Sequence, residues 1–344
     1  MIQLSQALSY KTSTMLISVI VTNFRDNFYL NKLLLDLSKQ DFDKNKLEIL
    51  LLDAGNYQEK EAKKSLGSLK HNLRFWNVSN LPRTSSLNFL IKNAKANLIV
   101  RLDSRSNISK NYLSQIYKLS TETKAANVGG SLKPVGLNFN QNMIAKIMQY
   151  PLSFGSTKFR SLNYRGEVDS LYLGAFNKKL IPKGSWFDEE LVKISEDSDL
   201  NYRIKKSNQK IILDSSIVVE YYPRESLKSF FKLCYNYGLS RGLFLIKHKT
   251  VSAFRQLVLP LGLLLICMLF YIGFIIQLAH EFLLLLILIY VSVLCRISYK
   301  LSNTMKESLF IFPGFLGCHF FWTMGFFPRL FILNNIKMDK IYAH

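Results

Sequence analysis

Residues 83–106, RTSSLNFLIKNAKANLIVRLDSRS, carry a helical pattern over 86–94 and then an apolar strand, NLIVRL, that ends on Asp103. A helix followed by a strand that delivers an acid into a turn is the unit from which α/β sheets are built. The same unit recurs upstream. Residues 16–22 (LISVIVT) form a β-rich run, with Phe28, Leu30, Leu33, Leu34 and Leu37 at helical spacing behind it. Residues 47–52 (LEILLL) predict a second strand ending at Asp53, with the helix-like EKEAKKSLGSLK after it. A third short strand over 73–78 leads into the turn NLPRTSS. Near-continuous apolar strands alternating with helices predict an α/β fold: a mostly parallel central sheet with helices on both faces. Ligands of such sheets gather beyond the carboxyl ends of the strands, and Asp26, Asp53 and Asp103 all lie there.

Beyond Gly129-Gly130 the pattern is mixed. Residues 168–176 (VDSLYLGAF) read as a strand, 196–206 as a helix, and 210–222 as one or two strands closed by Pro223. The strongest local signal is SEDSDLNYRI at 195–204, where Glu196, Asp197 and Asp199 open a helix. A helix N-terminus alone favours acids, so capping is the plain alternative to chemistry. From Ser226 to about Arg241 a further helix is apolar on one face and basic on the other, a pattern that suits the surface of a membrane.

Behind Arg255, residues 257–279 are uncharged and long enough to cross the roughly 30 Å core of a bilayer. A second span is expected over 281–299, with Arg296 snorkelling. Residues 308–328 are also uncharged but interrupted by Pro313, Gly314, Gly317, Gly325 and Pro328, so this segment reads equally as a third span or a re-entrant one. Basic loops place Arg255 and Arg296–Lys306 on the cytoplasmic side, and a third span would put Arg329, Lys337 and Lys340 outside. The chain thus divides into an extension (1–15), an α/β catalytic domain (16–225), a basic juxtamembrane segment (226–256), a membrane region (257–333) and a tail (334–344). No basic n-region with an apolar core opens the sequence, so no cleaved signal peptide is expected.

The formal net charge is +21 over 344 residues, and residues 257–344 hold only +3 of it. Between Arg203 and Lys249 there are ten basic residues and three acids, a block suited to anionic lipid headgroups and phosphate-bearing substrates. Nucleic acid, the other partner of basic chains, would leave the membrane segment without a purpose. Cys234, Cys267, Cys295 and Cys318 show neither pairing nor metal spacing, which fits a reducing compartment. No GxGxxG follows the first strand, which removes a dinucleotide-dependent oxidoreductase.

Taken in order, ISVIVTNFRDN (17–27), LEILLLDAGN (47–56), the stretch 83–106, VGG (128–130), VDSLYLGAF (168–176), SEDSDLNYRI (195–204) and 214–238 resemble family 2 glycosyltransferases. These are inverting enzymes of the GT-A fold (the nucleotide-diphospho-sugar transferase fold), and the likeness is greatest to membrane-anchored exopolysaccharide transferases of the succinoglycan type. The resemblance implies a donor site in which Asp26 and Asp53 hold the uracil and ribose of a nucleotide-sugar, a UDP-sugar by family likeness. Arg83, Arg105 and Arg241 would serve the donor as well. Asp103 would be the first acid of a DxD-type motif holding Mg2+ or Mn2+ against the diphosphate, though Arg105 stands at the usual second acid. Asp197 would be the general base, supported by Glu196, and Asp169, Tyr172 and Gly174 would meet the acceptor. The family's terminal Gln-x-x-Arg-Trp pattern is replaced by YNYGLSRG (235–242), in which the resemblance implies that Arg241 would be a phosphate contact. The implied partners are a nucleotide-sugar, a lipid-linked or glycan acceptor and membrane lipids, with the catalytic domain on the cytoplasmic side of a bacterial-type inner membrane. The alternative is a non-catalytic membrane scaffold that keeps the fold.

Overall fold

The computed structural model describes residues 15–154, 158, 163–182, 184, 186–189, 196–251 and 253–328. The tail at 334–344, the basic residues Arg329, Lys337 and Lys340, and all but the last residue of the 1–15 extension lie outside them. The elements run β1 (Ile17–Asn23), α1 (Asn27–Ser38), β2 (Leu47–Asp53), α2 (Glu59–Leu66), β3 (Leu73–Asn77), α3 (Arg83–Asn93), β4 (Leu98–Asp103), β5 (Ser106–Ile108), α4 (Tyr112–Thr123) and β6 (Asn127–Pro134). They continue with α5 (Phe139–Gln149), α6 (Pro151–Phe154), β7 (Arg165–Glu167), β8 (Ala175–Asn177), α7 (Glu196–Lys206), β9 (Ile211–Tyr221), α8 (Leu227–His248), α9 (Val258–Ile272), α10 (Gln277–Leu301) and α11 (Met305–Phe326).

Every residue of β2 is buried, and β1 buries all but Thr22. The strands are apolar throughout because both faces are covered. Val19 and Val21 pack with Leu30 and Leu34 of α1 and Ile116 of α4 on one side. Ile20 and Leu50 pack with Leu87, Leu90 and Ile91 of α3 and Leu200 of α7 on the other. The sheet order is β3-β2-β1-β4-β8-β6-β9-β5, with β7 on β9. The first four strands are parallel, as expected. Beyond that half the sheet is mixed, with short antiparallel ladders beside a long parallel one. β8 enters antiparallel to both β4 and β6, while β6 and β9 run parallel.

The strand expected over 168–176 shrinks to Ala175–Asn177. Leu173 sits at φ 51, a left-handed conformation that ends any ladder there. The residues before it form a loop that crosses the carboxyl end of β4. Helix α8 runs to His248, beyond the expected end, and a reciprocal Ser226–Ser229 cap starts it. Its apolar side does not face lipid. Phe230, Leu233 and Cys234 pack against Ile311, Phe315, Cys318 and Trp322 of α11 and Ile147 of α5.

Among the described residues, three helices are long and apolar enough to cross a membrane: Phe254–Ile272, Gln277–Leu301 and Met305–Phe326. The third continues through Pro313 without a break. Half of its most apolar stretch is buried, against 6% and 17% for the other two, so α11 belongs structurally with α8. Glycines permit that contact. A Cβ on Gly238 would fall 1.9 Å from the carbonyl oxygen of Trp322, and one on Gly325 would fall 2.0 Å from that of Tyr235. Backbone cannot give way as a flexible side chain does. Gly238→Ala is therefore expected to destabilise the solubilised protein by about 1–3 kcal/mol, the usual range for overpacking. Gly262→Ala, where a Cβ inside α9 meets nothing within 4 Å, is the matched control and does not lower the melting temperature.

Candidate active site

The carboxyl ends of β1 and β4 open onto a cavity of ≈2720 Å³ whose lining includes Asp26, Arg83, Asp103, Arg105, Asp169, Tyr172, Glu196, Asp197 and Arg241. Nine of the eleven residues singled out in the sequence thus share one cavity. Asp53 and Gly174 do not line it.

At its centre lies an ion network. β4 carries Arg101, 4% exposed, whose Nη2 donates to Oε1 of Glu196 at 2.6 Å. Arg83, the first residue of α3, donates through Nη2 to Oδ2 of Asp103 at 2.6 Å, and its Nε lies 3.2 Å from the same Glu196 oxygen. Arg101 Nε completes the square on Oδ1 of Asp103 at 3.4 Å. Burial pushes both carboxyl groups upward, but the two guanidinium groups outweigh it and hold Asp103 and Glu196 below the usual carboxylate range. Asp197 moves the other way. Burial and the neighbouring Glu196 charge raise it, and Arg101 and Arg241 only partly compensate. The two adjacent acids are thus pushed apart: Glu196 is kept charged, and Asp197 binds its proton more tightly than a free carboxylate does.

Arg101 was missed in the sequence. Its signal was present: a charge inside the apolar run NLIVRL must find a buried partner, because an unpaired one is too costly.

Asp26, just after β1, accepts from Nε and Nη2 of Arg105 at 3.0 and 2.8 Å. The Arg105 guanidinium also lies over the Tyr29 ring at 4.2 Å and donates to the carbonyl of Pro223. It ties the β1 rim to the segment entering α8. Asp53 is wholly buried, with its oxygens taken by Asn23, Asn77 and the backbone N–H groups of Gly55 and Tyr57. Its carboxylate shapes the loop at 54–57 instead of facing the cavity. Gly174 packs where a Cβ would fall 2.2 Å from Oδ1 of Asn127, so its place is structural. Its neighbour Tyr172 reaches the centre, with its hydroxyl 3.4 Å from Oδ2 of Asp103. Asp169 is 82% exposed and paired with Lys205 at the outer edge.

A divalent ion does not fit these side chains well. Asp103, the expected ligand, has both oxygens engaged by guanidinium groups, and position 105 offers another cation. No cluster of three or more His, Cys, Asp or Glu able to hold a metal occurs among the described residues. An ion would have to displace Arg83 and sit beside fixed positive charge.

Asp199 points away from the cavity, fully buried, and accepts from Arg203, Lys247 and His248 at 2.9, 2.7 and 2.7 Å. The Lys247 and His248 bonds fasten α7, and with it Asp197, to the last turn of α8.

Residues 18–184 match the sequence profile of Glycosyl transferase family 2. Over 339 residues, 93% of this chain and 98% of its relative, the sequence is 26% identical to the dolichyl N-acetyl-alpha-D-glucosaminyl phosphate 3-beta-D-2,3-diacetamido-2,3-dideoxy-beta-D-glucuronosyltransferase of Methanococcus voltae. Over 169 residues, 49% of this chain and 51% of the other, it is 24% identical to the succinoglycan biosynthesis protein ExoA of Rhizobium meliloti (strain 1021). In structure it is similar to the mannosyltransferase PcManGT from Pyrobaculum calidifontis in complex with GDP-Man and Mn2+, with a TM-score of 0.55 and 12% identity over 88% of this chain and 85% of that one. The fold is GT-A-like: a curled mixed sheet with helices around it. Residues 18–184, just under half of the chain, thus form a glycosyl transferase family 2 domain, and the protein is a glycosyltransferase whose α/β domain leads into three apolar C-terminal helices.

Proposed function

We propose that this glycosyltransferase moves a sugar, with inversion, from a nucleotide-diphosphate donor onto a lipid-linked or polysaccharide acceptor at the cytoplasmic face of a membrane. The observation that carries the reading is Asp197, a half-buried acid of raised pKa in a cavity that also reaches the apolar helices. The Methanococcus voltae relative, named for a dolichyl-phosphate-linked sugar, supports a lipid-borne acceptor, and the Rhizobium meliloti relative supports a role in polysaccharide synthesis.

In the reaction an acceptor hydroxyl attacks the anomeric carbon from the face opposite the diphosphate. Asp197 takes the hydroxyl proton as the new C–O bond forms, and the electron pair of the breaking bond leaves on the β-phosphate oxygen. Arg83 and Arg241 sit where that growing charge needs stabilisation. Asp26 and Arg105, locked together, form the nucleoside rim, and Asp53 supports it through the loop it holds. Asp103 keeps Arg83 in place, while Tyr172 and Asp169 flank the acceptor on the segment that Gly174 seats against Asn127. Fixed cations at this site do the work that Mg2+ or Mn2+ does in relatives with two acids.

Calorimetry with UDP and GDP on the solubilised full chain tests the donor site. Binding is expected, and failure to bind either with or without Mn2+ would overturn the reading. Turnover is expected to persist in EDTA. Complete loss of turnover, restored by Mn2+, would show instead that Asp103 anchors an essential ion.

A further inference from the structure

Both ends of α11 are held by elements of the α/β domain and its juxtamembrane helix. At its start Lys146 of α5 donates to the carbonyl of Leu301 at 2.9 Å and to Oε2 of Glu307 at 2.8 Å. The Phe139 ring of α5 packs edge-on against Phe310. At mid-length His319 donates through Nε2 to the carbonyl of Leu152 at 2.8 Å, and its Nδ1 accepts from the Tyr290 hydroxyl. At its end a Cβ on Gly242 of α8 would fall 2.4 Å from the carbonyl oxygen of Phe326. Gly242 follows Arg241, whose charge acts on Asp197 in the catalytic cavity.

α8 and α11 also run in the same direction. Leu227 lies beside Gly314, Phe231 beside Gly317, Gly238 beside Trp322 and Gly242 beside Phe326. The shared stretch is about 20 Å long at about 1.5 Å per residue. An α11 standing upright in a bilayer would carry α8 into the hydrocarbon, with Lys232 and Arg241 on it. The last turn of α8, bonded to Asp199, would draw α7 and the rim of the sheet after it. A re-entrant course fails as well, because a segment that dips and returns must break, and α11 continues through Pro313.

The side of α11 away from these contacts is apolar and uncovered. Met305, Leu309, Leu316 and Phe320 are 71%, 69%, 42% and 56% exposed. At about 100° per residue they fall within about 60° of arc, roughly opposite the face that meets α8. An apolar stripe on a helix otherwise covered by protein and followed through a short turn from a candidate span is complementary to the surface of a bilayer.

We propose that α11 is an in-plane helix on the catalytic domain's side of the membrane, with its Met305–Phe320 stripe resting in the interfacial layer. α9 and α10 alone then cross, and the chain leaves α11 on the side from which it entered α9. That course also satisfies the positive-inside rule, which a third span would violate at Arg329, Lys337 and Lys340. Nothing in this placement depends on sugar transfer, only on the charged cavity being open to water.

Two measurements on the full chain test it. A fluorescent protein and an alkaline phosphatase are fused in turn to Met1 and to His344 of the wild type in a bacterial inner membrane. Both ends are expected on the same side, and ends on opposite sides would overturn the placement. For depth, nitroxides are attached at Leu309→Cys, Leu316→Cys and Phe320→Cys on a chain whose four cysteines are replaced by Ala, in phosphatidylcholine–phosphatidylglycerol nanodiscs. All three labels are expected at one shallow level, about 5–10 Å into the headgroup boundary. A label at Ile289→Cys, near the middle of α10, is expected close to the bilayer midplane. An upright α11 would instead separate Leu309 from Phe320 by about 16 Å of depth and bring Leu316 to the midplane. Either that result or a fully aqueous reading at all three positions would overturn the assignment. Should the cysteine-free chain not fold, the reporters on the wild type still decide between two crossings and three.

Discussion

Asp197→Asn is expected to leave a folded protein that still binds nucleotide but transfers sugar about 10²–10⁴-fold more slowly, the range for loss of a general base. The side chain is half-buried in the catalytic cavity, and its neighbours serve other ends. Glu196 is committed to Arg101 and Asp103 to Arg83, so no other carboxylate of the pair network is free to take the proton. Asn keeps the size and the hydrogen-bonding capacity toward the Ser198 N–H that Asp197 now accepts. The loss should therefore fall on kcat and spare nucleotide affinity. The wild-type pH profile gives a second readout. A base works only when ionised, and burial beside Glu196 raises the Asp197 pKa, so the rate should fall as pH drops through a value above the usual carboxylate range. Full transfer by the Asn variant would remove Asp197 from the mechanism.

Glu196→Ala is expected to cost about 3–5 kcal/mol of stability, because it strands Arg101, 4% exposed inside a β-strand, without its 2.6 Å partner. Asp103 at 3.4 Å is a weaker substitute and already serves Arg83. Combining Glu196→Ala with Arg101→Met should recover much of the loss, since a buried apolar pair avoids the cost of desolvating charge, and a double-mutant cycle measures the coupling. The pH dependence of stability follows in sign. Glu196 and Asp103 have folded pKa values below their unfolded ones. Their contribution is full above the unfolded values, about 4, and is lost as pH falls through the folded values. Asp197, raised on folding, works in the opposite sense and favours the folded state only at low pH. Thermal melts between neutral pH and about pH 3 should fall less steeply for Glu196→Ala than for the wild type. A parallel fall would show that the network contributes nothing to acid sensitivity.

The strands and helices of the first half were legible because their periods are local. Residues 17–23, 47–53 and 98–103 are too short and too apolar for helices, and each ends on an acid or amide. The acids of α7 were also legible as a cluster. Family likeness assigned them a base and a supporting acid, but the group that holds Glu196 charged was not legible, because Arg101 is 95 residues away in sequence. Asp53 illustrates the reverse. Its position at a strand end suggested a ligand, yet four donors from neighbouring backbone and side chains consume it.

The α8 pattern misled for a similar reason. An amphipathic face states that a helix must cover apolar surface, and does not state with what. Bilayer and protein satisfy it equally. Only the close approach at Gly238 and Gly325 shows that α11 provides the cover. By itself the sequence determined the α/β order, the acids available for chemistry and the apolar helices, because these follow from chain-local spacing and composition. Tertiary structure alone decided which acid is neutralised by which arginine, which helix face meets protein and which meets a cavity. Those outcomes depend on distances between residues far apart in the chain, where a shift of a few ångströms turns a ligand into a structural ion pair.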